Sequence, residues 1–230
     1  MGLDKYAEGQ ILLIDKPLTW TSFDVVKKLR NALKVKKIGH AGTLDPLATG
    51  LLLIGTGKFT KKLNELQGLD KTYEGIITIG KTTPSFDLET DFDSEKPINH
   101  LTEQEIQEAA IKLTGPLAQV PPAHSAVRIN GERAYKKARK NEEVKIDPRN
   151  IIIHSFEILA INGPDVQFRI ACSKGTYIRS IARDFGELLG VGGHLKSLRR
   201  TKIGEFDVNN AEELDNFVAK IRADEDSRES

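Results

Sequence analysis

Residues 39–50 read Gly39-His40-Ala41-Gly42-Thr43-Leu44-Asp45-Pro46-Leu47-Ala48-Thr49-Gly50. A single carboxylate, Asp45, stands among glycines, threonines and a proline. Glycine opens backbone angles closed to other residues, and proline fixes its own. The residue before a proline is pushed away from the helical region, and Asp45 is that residue. The stretch therefore reads as a sharply shaped loop rather than a core strand or helix. Leu51-Leu52-Leu53-Ile54 follows at once and reads as a buried strand that anchors it. A lone acid on such a loop fits a catalytic carboxylate. It fits equally a turn aspartate that caps backbone N–H groups. The local pattern alone leaves both open.

Working outward, Gln10 to Asp15 reads as a strand. Thr21-Ser22 supplies a helix N-cap, and Val25, Val26, Leu29 and Leu33 mark one helical face. Tyr73 to Ile79 alternates as a strand with one wet face. Residues 82–100 are polar and read as a loop. Thr102-Glu103-Gln104-Glu105 is a capping box opening a helix that ends near Gly115. Asn130-Gly131 is a hairpin turn. Ile151–Ile161 and Val166–Cys172 are strands joined by Asn162-Gly163-Pro164. A helix is expected from Thr176 to about Leu189, broken by Gly192-Gly193, with residues 195–206 extended. A short helix is expected over Ala211–Ile221, with the last nine residues charged and disordered. Hairpin neighbours and irregularly spaced helices predict an α+β fold with a mixed, largely antiparallel sheet.

The chain has 230 residues, 39% of them hydrophobic and 29% charged, which describes one large domain of an ordinary soluble protein. Cys172 is the single cysteine, so an internal disulfide framework and a zinc cluster are excluded. The histidines lack metal spacing, and no metal is expected. No signal peptide or membrane-length apolar run is visible, and the expected address is the cytoplasm. Net charge is only +1, which argues against a general nucleic-acid coat. Distribution matters more than the sum. Basic residues gather at Lys27 to Lys37, at Lys58 to Lys62, at Arg128 to Lys140 and at Lys196 to Lys202. Acids gather elsewhere, from Asp87 to Glu95 and in the tail after Glu212. On one face the basic groups would track phosphates; singly each is a solvated surface.

The motif Gly39 to Leu52 resembles the catalytic-aspartate motif of the pseudouridine synthases, and within them the tRNA pseudouridine-55 synthase family. The resemblance continues in order through Asp15-Lys16-Pro17, Lys71-Thr72-Tyr73-Glu74, Pro121-Pro122, Ser125-Ala126-Val127-Arg128, Ser173-Lys174-Gly175-Thr176-Tyr177-Ile178-Arg179 and Leu198-Arg199-Arg200. It implies a central mixed sheet with flanking helices and an RNA-binding cleft. It implies isomerisation of uridine to pseudouridine at position 55 of the tRNA T loop, by base flipping and without a cofactor. Asp45 is then the catalytic carboxylate, Arg179 the cation that keeps it ionised, and Tyr73 the aromatic against the target base. Tyr177 and Leu198 line the pocket. His40 enters the T loop where bases flip out. Lys16 and Arg128 lie near RNA, and residues 121–145 form an RNA-gripping insertion.

The match departs from the family at Thr19 and Thr90, where glycine is common, and at Ser85, where threonine is. The expected catalytic domain covers 1–206. Residues 207–230 are too few for the C-terminal PUA domain many relatives carry. The expected partner is the tRNA T arm, bound by a monomer with no obligate protein partner and no membrane. The competing reading is a non-catalytic tRNA-binding or folding protein on the same scaffold. The intact Asp45, Tyr73 and Arg179 set disfavours it, because grip alone does not need those residues.

Overall fold

The computed structural model describes residues 4–125, 128–129, 132–133 and 146–229. It divides into two compact units, residues 1–73 with 199–230 and residues 74–198. The chain crosses between them inside two strands.

The first unit opens with α1 (Asp4–Glu8), β1 (Ile11–Lys16) and α2 (Ser22–Leu33). Helix α2 starts where the sequence says it should. Thr21 is extended and its hydroxyl accepts from Asp24 N at 3.0 Å, while the Asp24 carboxylate accepts from Thr21 N at 3.0 Å. This reciprocal box satisfies two orphan N–H groups of the first turn. The face Val25, Val26, Leu29 and Leu33 is buried, as the spacing requires. Then come β2 (Ile38–Ala41), β3 (Ala48–Thr56), a 3-10 segment, α3 (Leu63–Gln67) and the start of β4 (Lys71–Ile79).

Strand β3 explains its own composition. Leu52 and Ile54 pack toward the α2 residues in one cluster, while Leu51 and Leu53 pack with Ile203 and Val208 in another. Period-two alternation places successive residues on opposite faces, so a continuous apolar run means a strand covered on both. Each such side chain contributes about 1.5–3 kcal/mol on burial.

The second unit takes up β4 at Glu74 and continues through β5 (Lys81–Thr82), β6 (Ser94–Glu95), α4 (Glu103–Lys112) and β7 (Gly115–Gln119). Short strands β8 (Arg128–Ile129) and β9 (Glu132–Arg133) pair antiparallel. The expected Asn130-Gly131 turn between them lies outside the described residues, as does most of the 121–145 insertion, Tyr135 included. The hairpin of β10 (Arg149–Asn162) and β11 (Asp165–Cys172) leads to α5 (Ile178–Leu188) and β12 (Gly193–Ile203). Phe156 packs against Phe168 and Phe185 with ring centroids 6.0 and 5.4 Å apart. The end of β12 returns to the first unit, followed by β13 (Phe206–Asp207), β14 (Glu212–Glu213) and α6 (Leu214–Glu229).

Strand order is β14-β1-β3-β12-β4 in the first unit and β12-β4-β11-β10-β7 in the second. The β1/β14 pair is parallel, and β1/β3, β2/β3, β10/β11 and β7/β10 are antiparallel. The fold class is thus α+β with a mixed, largely antiparallel sheet.

Three local readings change. The motif at 39–50 is not loop throughout. Its first three residues belong to β2 and its last three to β3. Gly50 is glycine because φ is +100° and a Cβ there would stand 2.3 Å from the Arg200 carbonyl oxygen. Strand β7 was not expected, because Gly115-Pro116 reads as a helix stop. It sits at the end of the strand order, where a proline without an N–H forfeits no ladder bond. Helix α6 runs to Glu229, past the expected end at Ile221.

Candidate active site

In the first unit the Asp45 loop is held by three devices. The Ser22 hydroxyl accepts from Leu44 N at 2.9 Å and donates to Leu44 O at 3.2 Å. Thr19 N donates to Pro46 O at 2.8 Å, and Ala48 N donates to Asp45 O at 3.1 Å. From the other side, the Arg200 guanidinium donates to Leu51 O (Nε, 2.8 Å) and Gly42 O (Nη2, 3.1 Å). Arg200 is only 1% exposed. The sequence grouped it with surface charges; it is instead an internal clamp between the two ends of the loop. Asp45 itself is half-buried.

Lys16 is fully buried and its ammonium donates to the carbonyls of Pro17 (2.9 Å), Trp20 (2.6 Å) and Pro46 (3.4 Å). Burial pushes its pKa down to about 8, with the Asp45 carboxylate the largest influence in the opposite direction. The resemblance sets Lys16 near RNA; its ammonium faces carbonyls in the interior. His40, half-buried on β2, has its pKa lowered by burial first and by Arg200 second, against a hydrogen bond to the Gly42 backbone. Its imidazole is biased toward the neutral form. Tyr73 lies on β4, 8% exposed.

In the second unit Arg179 occupies the first turn of α5 and is 4% exposed. Nη1 donates to Ser85 O at 3.2 Å and Nη2 to His124 O at 2.9 Å, and Nε stands 3.5 Å from Asp87 Oδ2. Asp87 is buried, and its other oxygen accepts from Glu89 N at 2.9 Å. Sequence reasoning missed it, because it opens an acidic stretch that reads as solvated surface. The signal available was the run of hydroxyls around it. Thr83 Oγ1 (2.6 Å) and Ser85 Oγ (3.1 Å) both donate to Asp87 O, and Ser85 N donates to Thr90 Oγ1 at 3.1 Å. Two departures from the family pattern, Ser85 and Thr90, thus bond to each other and close this loop.

Gln119 was also missed. Its side chain accepts from Tyr177 N at 2.8 Å and donates to Tyr177 O at 3.1 Å, fixing the backbone before α5. Tyr177 and Leu198 are half-buried. Arg128 falls on β8, and its side chain lies outside the described residues. Lys16, His40, Asp45 and Tyr73 therefore belong to one unit and Tyr177, Arg179 and Leu198 to the other. Among the described residues no group of three or more His, Cys, Asp or Glu could hold a metal ion. No helix among them is long and apolar enough to cross a membrane.

Solved structures share this architecture. A Cbf5–Nop10–Gar1 complex matches with TM-score 0.73 at 27% identity, over 95% of this chain and 56% of that one. An archaeal box H/ACA sRNP Nop10–Cbf5 complex matches with TM-score 0.70 at 26% identity, over 94% and 54%. The chain spans about half the length of these solved chains. The fold and the aspartate motif together define a pseudouridine synthase. Residues 30–178 match the TruB family pseudouridylate synthase N-terminal domain, and residues 179–230 the tRNA pseudouridylate synthase B C-terminal domain. The chain belongs to the TruB family of pseudouridylate synthases. A Flavobacterium johnsoniae protein named tRNA pseudouridine synthase B is 53% identical over 226 residues, covering 95% of this chain and 99% of that protein. One of the same name from Chlorobaculum tepidum is 51% identical over 219 residues, covering 93% and 91%.

Proposed function

We propose that this chain converts uridine to pseudouridine at position 55 in the T loop of tRNA, with Asp45 as the reacting carboxylate. Isomerisation of uridine in tRNA follows from family membership and from relatives that match end to end. The T-loop position and the residue roles are the finer reading. The observation that carries it is Asp45 on a loop clamped by Ser22, Thr19 and Arg200. A turn aspartate that only caps backbone groups needs no buried arginine holding the loop's two ends.

The reaction breaks the bond between C1′ and N1, turns the uracil and forms a bond between C1′ and C5. C5 then loses its proton and N1 gains one, so atoms balance without a co-reactant. A group must assist cleavage at C1′ and hold the detached base in place. Asp45 takes the first task, and Tyr73 supplies an aromatic surface for the flipped base. Arg179 is the cation of the set. Rigid positioning is where such a site gains its rate, since loose reacting groups forfeit the advantage of proximity. Tyr177 and Leu198 line the pocket, and His40 fills the T loop. The enzyme acts as a monomer in the cytoplasm, on the T arm.

The test is tritium release from T-arm RNA and from full tRNA carrying C5-labelled uridine, in excess EDTA. Wild type releases tritium; Asp45→Asn does not, yet binds the RNA. Binding without release from either RNA by wild type overturns the reading in favour of an RNA-binding protein or a different RNA substrate.

A further inference from the structure

Beside the Asp45 loop, the first unit carries a cleft whose lining side chains the proposed isomerisation does not use. It has a volume of about 430 Å³ and is lined by Thr19, Trp20, Asp24, Lys27, Lys28 and Asn31. This volume falls in the ordinary range of small-ligand pockets, about 300–1,000 Å³. Trp20 is the only tryptophan in the chain. Its indole is half-buried and lies under Lys28 Nζ at 5.1 Å from the ring centroid. The same ammonium pairs with Asp215 at 2.5 Å, so Lys28 is tethered between ring and carboxylate. Asp24 is the acid of the lining, and its carboxylate is already engaged by Thr21 N (3.0 Å) and Thr21 Oγ1 (2.5 Å). Lys27, solvent-exposed, supplies the remaining cation. Leu18 and Phe23, on either side of this segment in sequence, are 54% and 61% exposed.

We propose that this cleft is a second RNA subsite that takes one unpaired nucleotide of the substrate, its base replacing the Lys28 ammonium over the Trp20 indole and its phosphate at Lys27. Every base presents a π face, so a tryptophan platform accepts an unpaired base without demanding its identity. A lysine at the rim neutralises one phosphate and releases its counterion. Asn31 offers both a donor and an acceptor to a base edge. The cleft is too small for a duplex and lacks the run of cations a duplex backbone needs. A nucleotide unit can come from RNA or from the free mononucleotide pool. Lys27 is one cation against the two charges of a free phosphomonoester, which favours the phosphodiester of an RNA chain. The proposal rests on the chain acting on tRNA.

The single tryptophan makes the test direct. Its fluorescence is followed in the intact protein while T-arm RNA, full tRNA or uridine monophosphate is added, with tritium release measured in parallel. RNA with unpaired nucleotides is expected to quench the emission saturably, with uridine monophosphate at least tenfold weaker. Lys27→Ala is expected to weaken RNA binding about fivefold and to lower the slope of log affinity against log salt by about 0.7–0.9. Lys27→Arg should restore both, which a merely structural role would not do. Unchanged emission at saturating RNA, while tritium release proceeds, overturns the subsite and leaves the isomerase standing. Absence of tritium release overturns the isomerase reading itself. Quenching by uridine monophosphate as strong as by RNA overturns the assignment to an RNA chain.

Discussion

The Arg179 guanidinium stands 3.5 Å from the Asp87 carboxylate, with only 4% and 7% of the two side chains exposed. Arg179 is the cation of the proposed catalytic set, and it is not left to orient itself. The Asp87 carboxylate faces Nε, the Ser85 and His124 carbonyls accept from Nη1 and Nη2, and the hydroxyls of Thr83 and Ser85 hold the Asp87 backbone carbonyl.

Removing Asp87 takes a buried carboxylate away from the Arg179 guanidinium. Breaking one partner of such a pair costs about 3–5 kcal/mol. Asp87→Ala should therefore lower the unfolding free energy by about that amount in urea titrations. Asp87→Asn keeps the shape and should lose less stability. Both should slow tritium release, because Arg179 loses its fixed position. Arg179→Lys should behave similarly, since one ammonium cannot reach the carbonyls of Ser85 and His124 and the carboxylate together. A wild-type rate in Asp87→Asn would detach this pair from the chemistry.

What the sequence made legible was local. Thr21 and the spacing of Val25, Val26, Leu29 and Leu33 specify α2 without outside help, and the structure adds only the exact hydrogen bonds. The strand at Leu51–Ile54 was legible because a run covered on both faces leaves an apolar signature. What stayed hidden depends on partners distant in sequence. Gly50 belongs to a strand because the Arg200 backbone lies against it. Arg200 sits among lysines in the chain and reads as surface, yet it is the clamp on the Asp45 loop. Asp87 reads as one acid of many until Arg179 is brought to it. Composition records what a residue is, and only tertiary contacts record what it faces.

Lys16 gives a pH prediction. Its pKa, ordinarily 10.5, is pushed down to about 8 in the folded chain, mainly by burial. Between those values the unfolded chain binds the proton and the folded chain does not. Unfolding then takes up a proton, so this group makes stability rise with pH across the window. Below pH 8 both states carry the charge, and the cost of burying it is fully felt. Urea midpoints from pH 7.5 to 10.5 should show wild type gaining relative to Lys16→Met. A parallel pH dependence in the two proteins would show that the ammonium is not the titrating group.

Gly50 should not tolerate a side chain. Alanine would have φ near +100° and place Cβ 2.3 Å from the Arg200 carbonyl oxygen. The left-handed conformation costs about 1–2 kcal/mol and the steric clash about 1–3 kcal/mol. Gly50→Ala should lose about 2–5 kcal/mol of stability on that sum. It should also disturb the Asp45 loop, since Gly50 lies in the strand that leaves it. Near-wild-type stability and rate in Gly50→Ala would mean that β12 moves aside freely.

Thr19 is the opposite case, a side chain where glycine would rest more easily. Its φ is +68°, and its N–H is committed to Pro46 O at 2.8 Å, so the backbone cannot relax without releasing the Asp45 loop. A β-branched residue held there stores strain of about 1–2 kcal/mol. Glycine relieves it but gives back about 0.5–1 kcal/mol through the greater freedom of its unfolded chain. The balance favours Thr19→Gly by about 0.5–1 kcal/mol, which for a chain of this size raises Tm by about 1–4 °C. Thr19→Ala keeps a Cβ but removes the branch, and should fall between the two. Thermal melts of the three proteins at one pH decide it. A fall in Tm for Thr19→Gly would mean that the threonine makes contacts worth more than its strain.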